Sequence, residues 1–284
     1  MREIKIGTRS SPLSIAQTNI IADEIMRTWP DIKITLVKIK TSGDKHMLPF
    51  TNNPAGIKGM FTLELENALL NHEIDFAVHS LKDMPVNINS SLPIIAYSHR
   101  EDPRDALIMK SGNVIGSSSL RRRLQLERLY PEMKIVAVRG NVNSRIRRMN
   151  EREYDGLVLA VAGLKRLGLE NRITKIFAID EIMPAPGQGI LACQGRADED
   201  YAYLECVNDT LSHDSALAER SFSRSLNAGC NVPIGAYAVV DDDMLMLRGL
   251  YIDEATKRFY EGSITGRRCE AESLGKRLAE VIMS

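Results

Sequence analysis

The stretch Val114–Leu126, VIGSSSLRRRLQL, reads as a strand, a turn and the start of a helix. A short apolar run, Val114–Gly116, reaches a glycine. Three serines follow, and a helical pattern opens at Ser119 and runs to Leu129. Serine before a helical run suits the cap, because its hydroxyl accepts from the free N–H groups of the first turn. Strand candidates are Ile4–Gly7, Ile34–Lys40, Ile74–His79, Leu92–Tyr97, Asp105–Met109, Val114–Gly116, Lys134–Val138 and Asp155–Val161. Helical patterns lie between many of them, at Pro12–Thr28, Gly59–Asn71, Ser119–Leu129, Val142–Glu151 and Gly163–Leu169. Such alternation argues for parallel sheets flanked by helices.

Beyond about Asp209 the pattern changes. A helix over Ser212–Leu226 precedes strand-like runs at Ala236–Val240, Met244–Tyr251 and Arg258–Ile264, and a last helix covers Ala271–Met283. This reads as a small α+β domain. No internal repeat or low-complexity tract is apparent, and no Gly/Ser-rich or Pro-rich linker separates domains. The turn-rich segment Thr41–Lys58 is the candidate mobile loop.

At 284 residues the chain exceeds one ordinary core and suggests two or three domains. It carries 37 basic and 37 acidic residues, so no overall field draws it to nucleic acid or membrane. The balance is uneven, however. Between Gly112 and Arg172 there are 11 Arg and 2 Lys against 6 acidic residues, a local +7 that the rest offsets with −7. No apolar run reaches bilayer length and the N-terminus has no signal core, so a cytoplasmic location is expected. The cysteines, Cys193, Cys206, Cys230 and Cys269, show no CxxC spacing and no zinc-like clustering with histidine, so free thiols and no metal are expected.

In open α/β sheets ligands gather beyond the carboxyl ends of the strands. Four strand ends here lead to a helix start with arginine nearby: Arg9 with Ser10 and Ser11, the Ser117–Arg123 run, Arg139 before the helix bearing Arg145, and Lys165-Arg166. Helix N-termini favour anions, and arginine matches carboxylate or phosphate with a planar fork. A solvated helix face would account for any one arginine. Four sites together point to a ligand with several anionic groups. Aromatics are 5% of the chain and none is interleaved with the arginines, which disfavours nucleic acid.

Two further motifs carry chemistry. In DFAVHSLKDMP, a buried strand ends in polar residues that include Lys82 and Asp83. A surface ion pair is the plain reading. A carboxylate among anion-binding arginines would instead need a task, such as stabilising developing positive charge or passing a proton. In NAGCNVPIG, Cys230 stands among turn residues, unlike Cys193 and Cys206, which read as buried and inert. An accessible thiol serves as a nucleophile or an attachment point, or is an incidental loop residue.

The motifs IGTRSSPLSIAQ, KGMFTLELENALL, DFAVHSLKDMP, REDPRDAL, GSSSLRRR, VRGNVNSRI, LAVAGLKRLGL, PAPGQG and AGCNVPIGAYA, in this order, resemble the hydroxymethylbilane synthase (porphobilinogen deaminase) family over nearly the whole chain. The resemblance implies an α/β protein of three domains. Two lobes similar to periplasmic binding proteins, with mixed sheets flanked by helices, would span 1–98 with 190–208 and 99–189. A small α+β domain would span 209–284. It implies a transferase that joins four porphobilinogen molecules head to tail with loss of ammonia. Growth would start on a covalent dipyrromethane cofactor, attached by a thioether to Cys230. Lys82, Ser80, Ser117, Ser118, Ser119, Arg121 and Arg122 would hold cofactor carboxylates. Arg9, Ser11, Arg139, Arg145, Arg166 and Gln188 would hold the incoming ring and growing chain. Asp83 matches the catalytic aspartate, and Lys58 a lysine at the end of the mobile loop. Gly56-Ile57 and Pro54 depart from the family pattern there, Ser117 stands where threonine is usual, and Ala228 replaces a glycine. Porphobilinogen and the growing polypyrrole are the expected partners, with no nucleic acid, no membrane and a monomeric state. The alternative from another class is a non-catalytic two-lobed binder of a polycarboxylate metabolite, which would need neither Asp83 nor Cys230.

Overall fold

The computed structural model describes residues 2–40, 59–226 and 232–284. Buried Ile4 and Ile6 alternate with exposed Glu3 and Lys5, so β1 (Arg2–Arg9) turns successive side chains to opposite faces. Ser11 and Pro12 then start α1 (Pro12–Thr28): the Ser11 hydroxyl accepts from the Ser14 N–H at 3.1 Å, and proline at the first helical position loses no hydrogen bond. The chain continues through β2 (Ile32–Ile39), α2 (Gly59–Leu70), β3 (Phe76–Ser80) and β4 (Ile94–Tyr97), and β10 (Leu191–Gly195) joins from far along the sequence. The sheet order is β2-β1-β3-β10-β4. The first three strands are parallel, and β10 runs against both neighbours. One face packs Ile4, Ile6, Phe76 and Val78 on Ile21, Ala22 and Ile25 of α1. The other packs Val37, Ile39 and Ala77 on Leu65, Ala68 and Leu69 of α2.

A second sheet is built from β5 (Asp105–Met109), β6 (Val114–Ser117), β7 (Lys134–Ala137), β8 (Gly156–Ala160) and β9 (Lys175–Ile176), in the order β7-β6-β8-β5-β9. Its helices are α3 (Leu120–Leu129), α4 (Val142–Asn150) and α5 (Val161–Arg166). Ile108, Leu157 and Leu159 face Ile146 and Met149 of α4, whereas Leu107, Ile115 and Val158 face Leu126 of α3. Three parallel strands are again followed by an antiparallel one. The two sheets thus share strand order and sense, a structural repeat with no counterpart visible in the sequence.

The C-terminal part comprises α6 (Thr210–Ser225), β11 (Ile234–Asp241), β12 (Met244–Ile252), β13 (Phe259–Arg267) and α7 (Ala271–Met283). The strands form an antiparallel meander. Phe222 of α6 and Leu274 and Leu278 of α7 cover one face. On the other, Leu250 and Ile252 pack with Leu124 and Met183. The chain divides into two compact units, Met1–Arg100 with Ile190–His213, and Glu101–Gly189 with Asp214–Ser284.

Both sheets are mixed, as the family resemblance implies: β10 and β5 run against their neighbours among otherwise parallel strands. The short β9 has no sequence signal. Two expectations are corrected, the bounds of the fifth helix and the burial of Cys206. The helix expected over Gly163–Leu169 instead starts at Val161 and stops at Arg166. Gly168, at φ +65°, ends it: the Leu169 N–H returns to the Leu164 carbonyl at 2.9 Å, and the Gly168 N–H to that of Lys165 at 2.9 Å. Cys193 is buried as expected, whereas Cys206 is half-buried in a turn with its thiol on the Tyr203 carbonyl.

Candidate active site

Because β1 and β3 are parallel neighbours, Arg9 and the Ser80–Asp83 segment emerge at one sheet edge. Arg9, Ser14, Gln17, Thr62, His79, Ser80 and Asp83 line one cleft there. Fully buried Leu81 donates its N–H to the Ile190 carbonyl at 3.0 Å, and buried Met84 donates to the Leu81 carbonyl. These anchors hold a 3-10 turn, Leu81–Asp83, on which Asp83 is exposed and Lys82 half-buried. Ser80 accepts from Gln17 Nε2 at 2.8 Å, and the hydroxyls of Ser11 and Ser14 are 2.8 Å apart. His79 lies beneath this edge. Burial, then the Arg9 charge, push its imidazole down to about 4, against opposing pulls from Gln194 and Asp83. The ring is therefore neutral at pH 7, and its Nε2 has no hydrogen-bond partner.

In the second unit the carboxyl ends of β6, β7 and β8 share one edge. Ser119 caps α3, accepting from the Arg122 N–H, and Ser117 accepts from the Ser119 N–H at 3.3 Å. Ser118 accepts from Arg145 Nη1 at 2.7 Å. Arg139 is exposed, and its carbonyl accepts from Arg148 at 3.3 Å. Arg166 donates to the Gly189 carbonyl at 2.6 Å, and burial pushes its guanidinium down to about 10, so it stays charged at pH 7.

Arg121 and Arg122 are not on a solvated face: they are 4% and 5% exposed. Arg121 Nη2 meets Asp105 Oδ2 at 2.9 Å, and Arg122 Nη2 meets Asp105 Oδ1 at 2.7 Å. Arg121 also donates to the Met183 carbonyl. Gln188 Nε2 bonds Asp105 Oδ1 at 2.7 Å and the Pro103 carbonyl at 2.6 Å, while its Oε1 accepts from Arg122 Nη2 at 3.3 Å. Two guanidinium groups thus face one carboxylate, and Arg122 Nε is buried without a partner.

The model of the porphobilinogen deaminase, dipyromethane cofactor binding domain matches residues 4–203, and that of the porphobilinogen deaminase C-terminal domain matches 214–284. The chain belongs to the porphobilinogen deaminase family. It is 45% identical to the porphobilinogen deaminase of Ruminiclostridium josui, over 100% of this chain and 99% of that one. The deaminase of Nostoc sp. is 40% identical, over 99% and 91%. Among solved structures the chain is similar to the periplasmic aliphatic sulphonate binding protein SsuA from Escherichia coli, at TM-score 0.41 and 12% identity, over 80% of this chain and 71% of that one.

The donor set suits the deaminase cofactor, a polycarboxylate. A buried pair of guanidinium groups with one positive charge in excess and one unused N–H, beside capping serines, matches carboxylate chemistry. Cys230, Lys58, Pro54, Ile57 and Ala228 lie outside the described residues. Among the described residues no group of His, Cys, Asp and Glu is arranged to hold a metal, and no helix is long and apolar enough to cross a membrane. Sequence reasoning gave no role to Asp105 or His79. A signal existed for Asp105: it opens the apolar run DALIM, and a carboxylate there needs a buried cationic partner.

Proposed function

We propose that this deaminase is a hydroxymethylbilane synthase, condensing four porphobilinogen molecules head to tail with release of one ammonia each. The observation that carries the reading is the buried Arg121–Arg122 pair sharing one carboxylate, in a chain whose matched domain is named for dipyrromethane binding. When bound, that cofactor supplies a primer ring with a nucleophilic carbon. Arg121, Arg122, Ser117, Ser118, Ser119, Ser80 and Lys82 hold its carboxylates, and Cys230 carries its thioether. Arg9, Ser11, Arg139, Arg145, Arg166 and Gln188 hold the carboxylates of the incoming and growing rings, fixing the reacting carbons. Asp83 stabilises positive charge at pyrrole nitrogen after ammonia leaves and relays the proton lost from the attacking carbon. Lys58 joins this set by its motif position alone. Division into 1–98 with 190–208, 99–189 and 209–284, a monomeric state, a cytoplasmic location and no nucleic-acid partner belong to the same reading.

The test is the intact mass of the denatured chain, followed by peptide mapping. A dipyrromethane on the peptide containing Cys230 is expected, either as purified or after incubation with porphobilinogen. An unmodified chain whose mass stays unchanged after incubation with porphobilinogen would refute the assignment and leave a polycarboxylate-binding protein.

A further inference from the structure

The two sheets provide an internal control. Ser11 and Ser119 occupy the same place, each capping the helix that follows the strand second in its sheet's order, β1 and β6. The second and third helical residues are Leu13 and Ser14 in one unit, but Arg121 and Arg122 in the other. Likewise Ser80 ends β3 opposite Leu191, and Ala160 ends β8 opposite Asp105. Leu191 and Asp105 are both buried, at 1% and 0% exposure. The architecture therefore forms with an apolar residue where Asp105 stands and without arginines in the first helical turn. A buried ion network that the fold does not require is costly to keep, since desolvation offsets much of its attraction.

The network is also incomplete in charge. Arg121 and Arg122 bring two positive charges, Asp105 one negative and Gln188 none. Asp105 spends one oxygen on each guanidinium and holds both through one rigid group. Arg122 Nε stays buried without a partner.

We propose that Asp105 is a positioning residue for the anion site: it fixes the forks of Arg121 and Arg122 beside Ser119 and sets their joint charge to one positive rather than two. The inference rests on the reading that these arginines hold carboxylates of the dipyrromethane. Asp105 touches neither substrate nor cofactor and acts through the arginines. Its effect has an unusual sign. Asp105→Asn adds a net positive charge to the pocket, so charge alone would hasten capture of a polycarboxylate. Positioning predicts the reverse, because misplacing binding groups by about 1 Å costs up to roughly a hundredfold.

The test uses full-length apoprotein, made without porphobilinogen, as wild type, Asp105→Asn, Asp105→Glu and Arg122→Gln. Each is incubated with porphobilinogen, and attachment of the dipyrromethane is followed by intact mass, with a thermal melt of the apo form alongside. The expected result is loading slowed on the order of tenfold or more in Asp105→Asn while the apo form stays folded, with partial rescue in Asp105→Glu. Wild-type or faster loading of Asp105→Asn would overturn the proposal. If Asp105→Asn does not fold, Asp105→Glu decides. That variant keeps the charge but displaces the forks, so slowed loading with an unchanged melt supports positioning and wild-type loading refutes it. Arg122→Gln separates the two levels: normal loading would remove the underlying assignment of the arginines, whereas slow loading beside a normal Asp105→Asn would remove only the role of Asp105.

Discussion

His79 makes stability depend on pH in a way that can be worked through. Its ring is buried under the edge that carries Arg9 and Asp83, and is pushed down to about 4, mainly by desolvation. In the unfolded chain an imidazole titrates near 6.5. Above that pH neither state is protonated there and the full stability is present. As pH falls, the unfolded chain takes up a proton that the folded chain refuses, and stability is lost down to the folded value. The loss is about 2 kcal/mol between pH 7 and pH 5, and about 3 kcal/mol by pH 4. Other titrating groups contribute over the same range, so the quantity to measure is a difference. Urea unfolding of wild type and His79→Gln, followed by circular dichroism across this range, should show the advantage of wild type shrinking by these amounts as pH falls. A constant offset at neutral pH is expected from changed packing and is not the signal. A difference flat to about 0.5 kcal/mol would refute the buried neutral ring, as would a directly observed imidazole titration near 6.5.

Asp83 is exposed on its 3-10 turn, so Asp83→Ala should leave the unfolding midpoint within about 0.5 kcal/mol of wild type while abolishing porphobilinogen consumption. Asn141 caps α4 by accepting from the Ser144 N–H at 2.9 Å, and Asn141→Ala should cost about 1 kcal/mol in urea unfolding. A Cβ on Gly275 would lie 2.4 Å from the Ala218 carbonyl oxygen and 2.6 Å from the Phe222 nitrogen. Gly275→Ala should therefore force α6 and α7 apart and destabilise by about 1–3 kcal/mol, read as a lowered melting temperature.

What the amino-acid sequence determined by itself was local. Pro12–Thr28 and Ala271–Met283 were delimited correctly, the first because Ser11 and Pro12 write the cap and first turn within three residues. The strand candidates lay within a few residues of the observed strands for the same reason: alternation of apolar and charged side chains, as in Glu3–Ile6, is a near-neighbour pattern. The difference at α5 is also local: the helical pattern of GLKRLGL runs through Gly168, whereas that glycine ends the helix in a left-handed turn. The motif order carried the family assignment, and Asp83 and the strand-end arginines stood out as candidate chemistry.

Tertiary structure alone decided the rest. The sense of β5 and β10 depends on pairing across the chain, with Ala192 opposite His79, and no window of sequence contains both partners. The equivalence of the two sheets is likewise invisible to sequence comparison, because hydrophobic patterning repeats where residue identities do not. Most consequential is the arginine run. From sequence alone, Arg121 and Arg122 were compatible with a solvated helix face or with a ligand. Their burial against Asp105, 16 and 17 residues away, shows that a charge can be taken out of water only where the fold brings its partner to it.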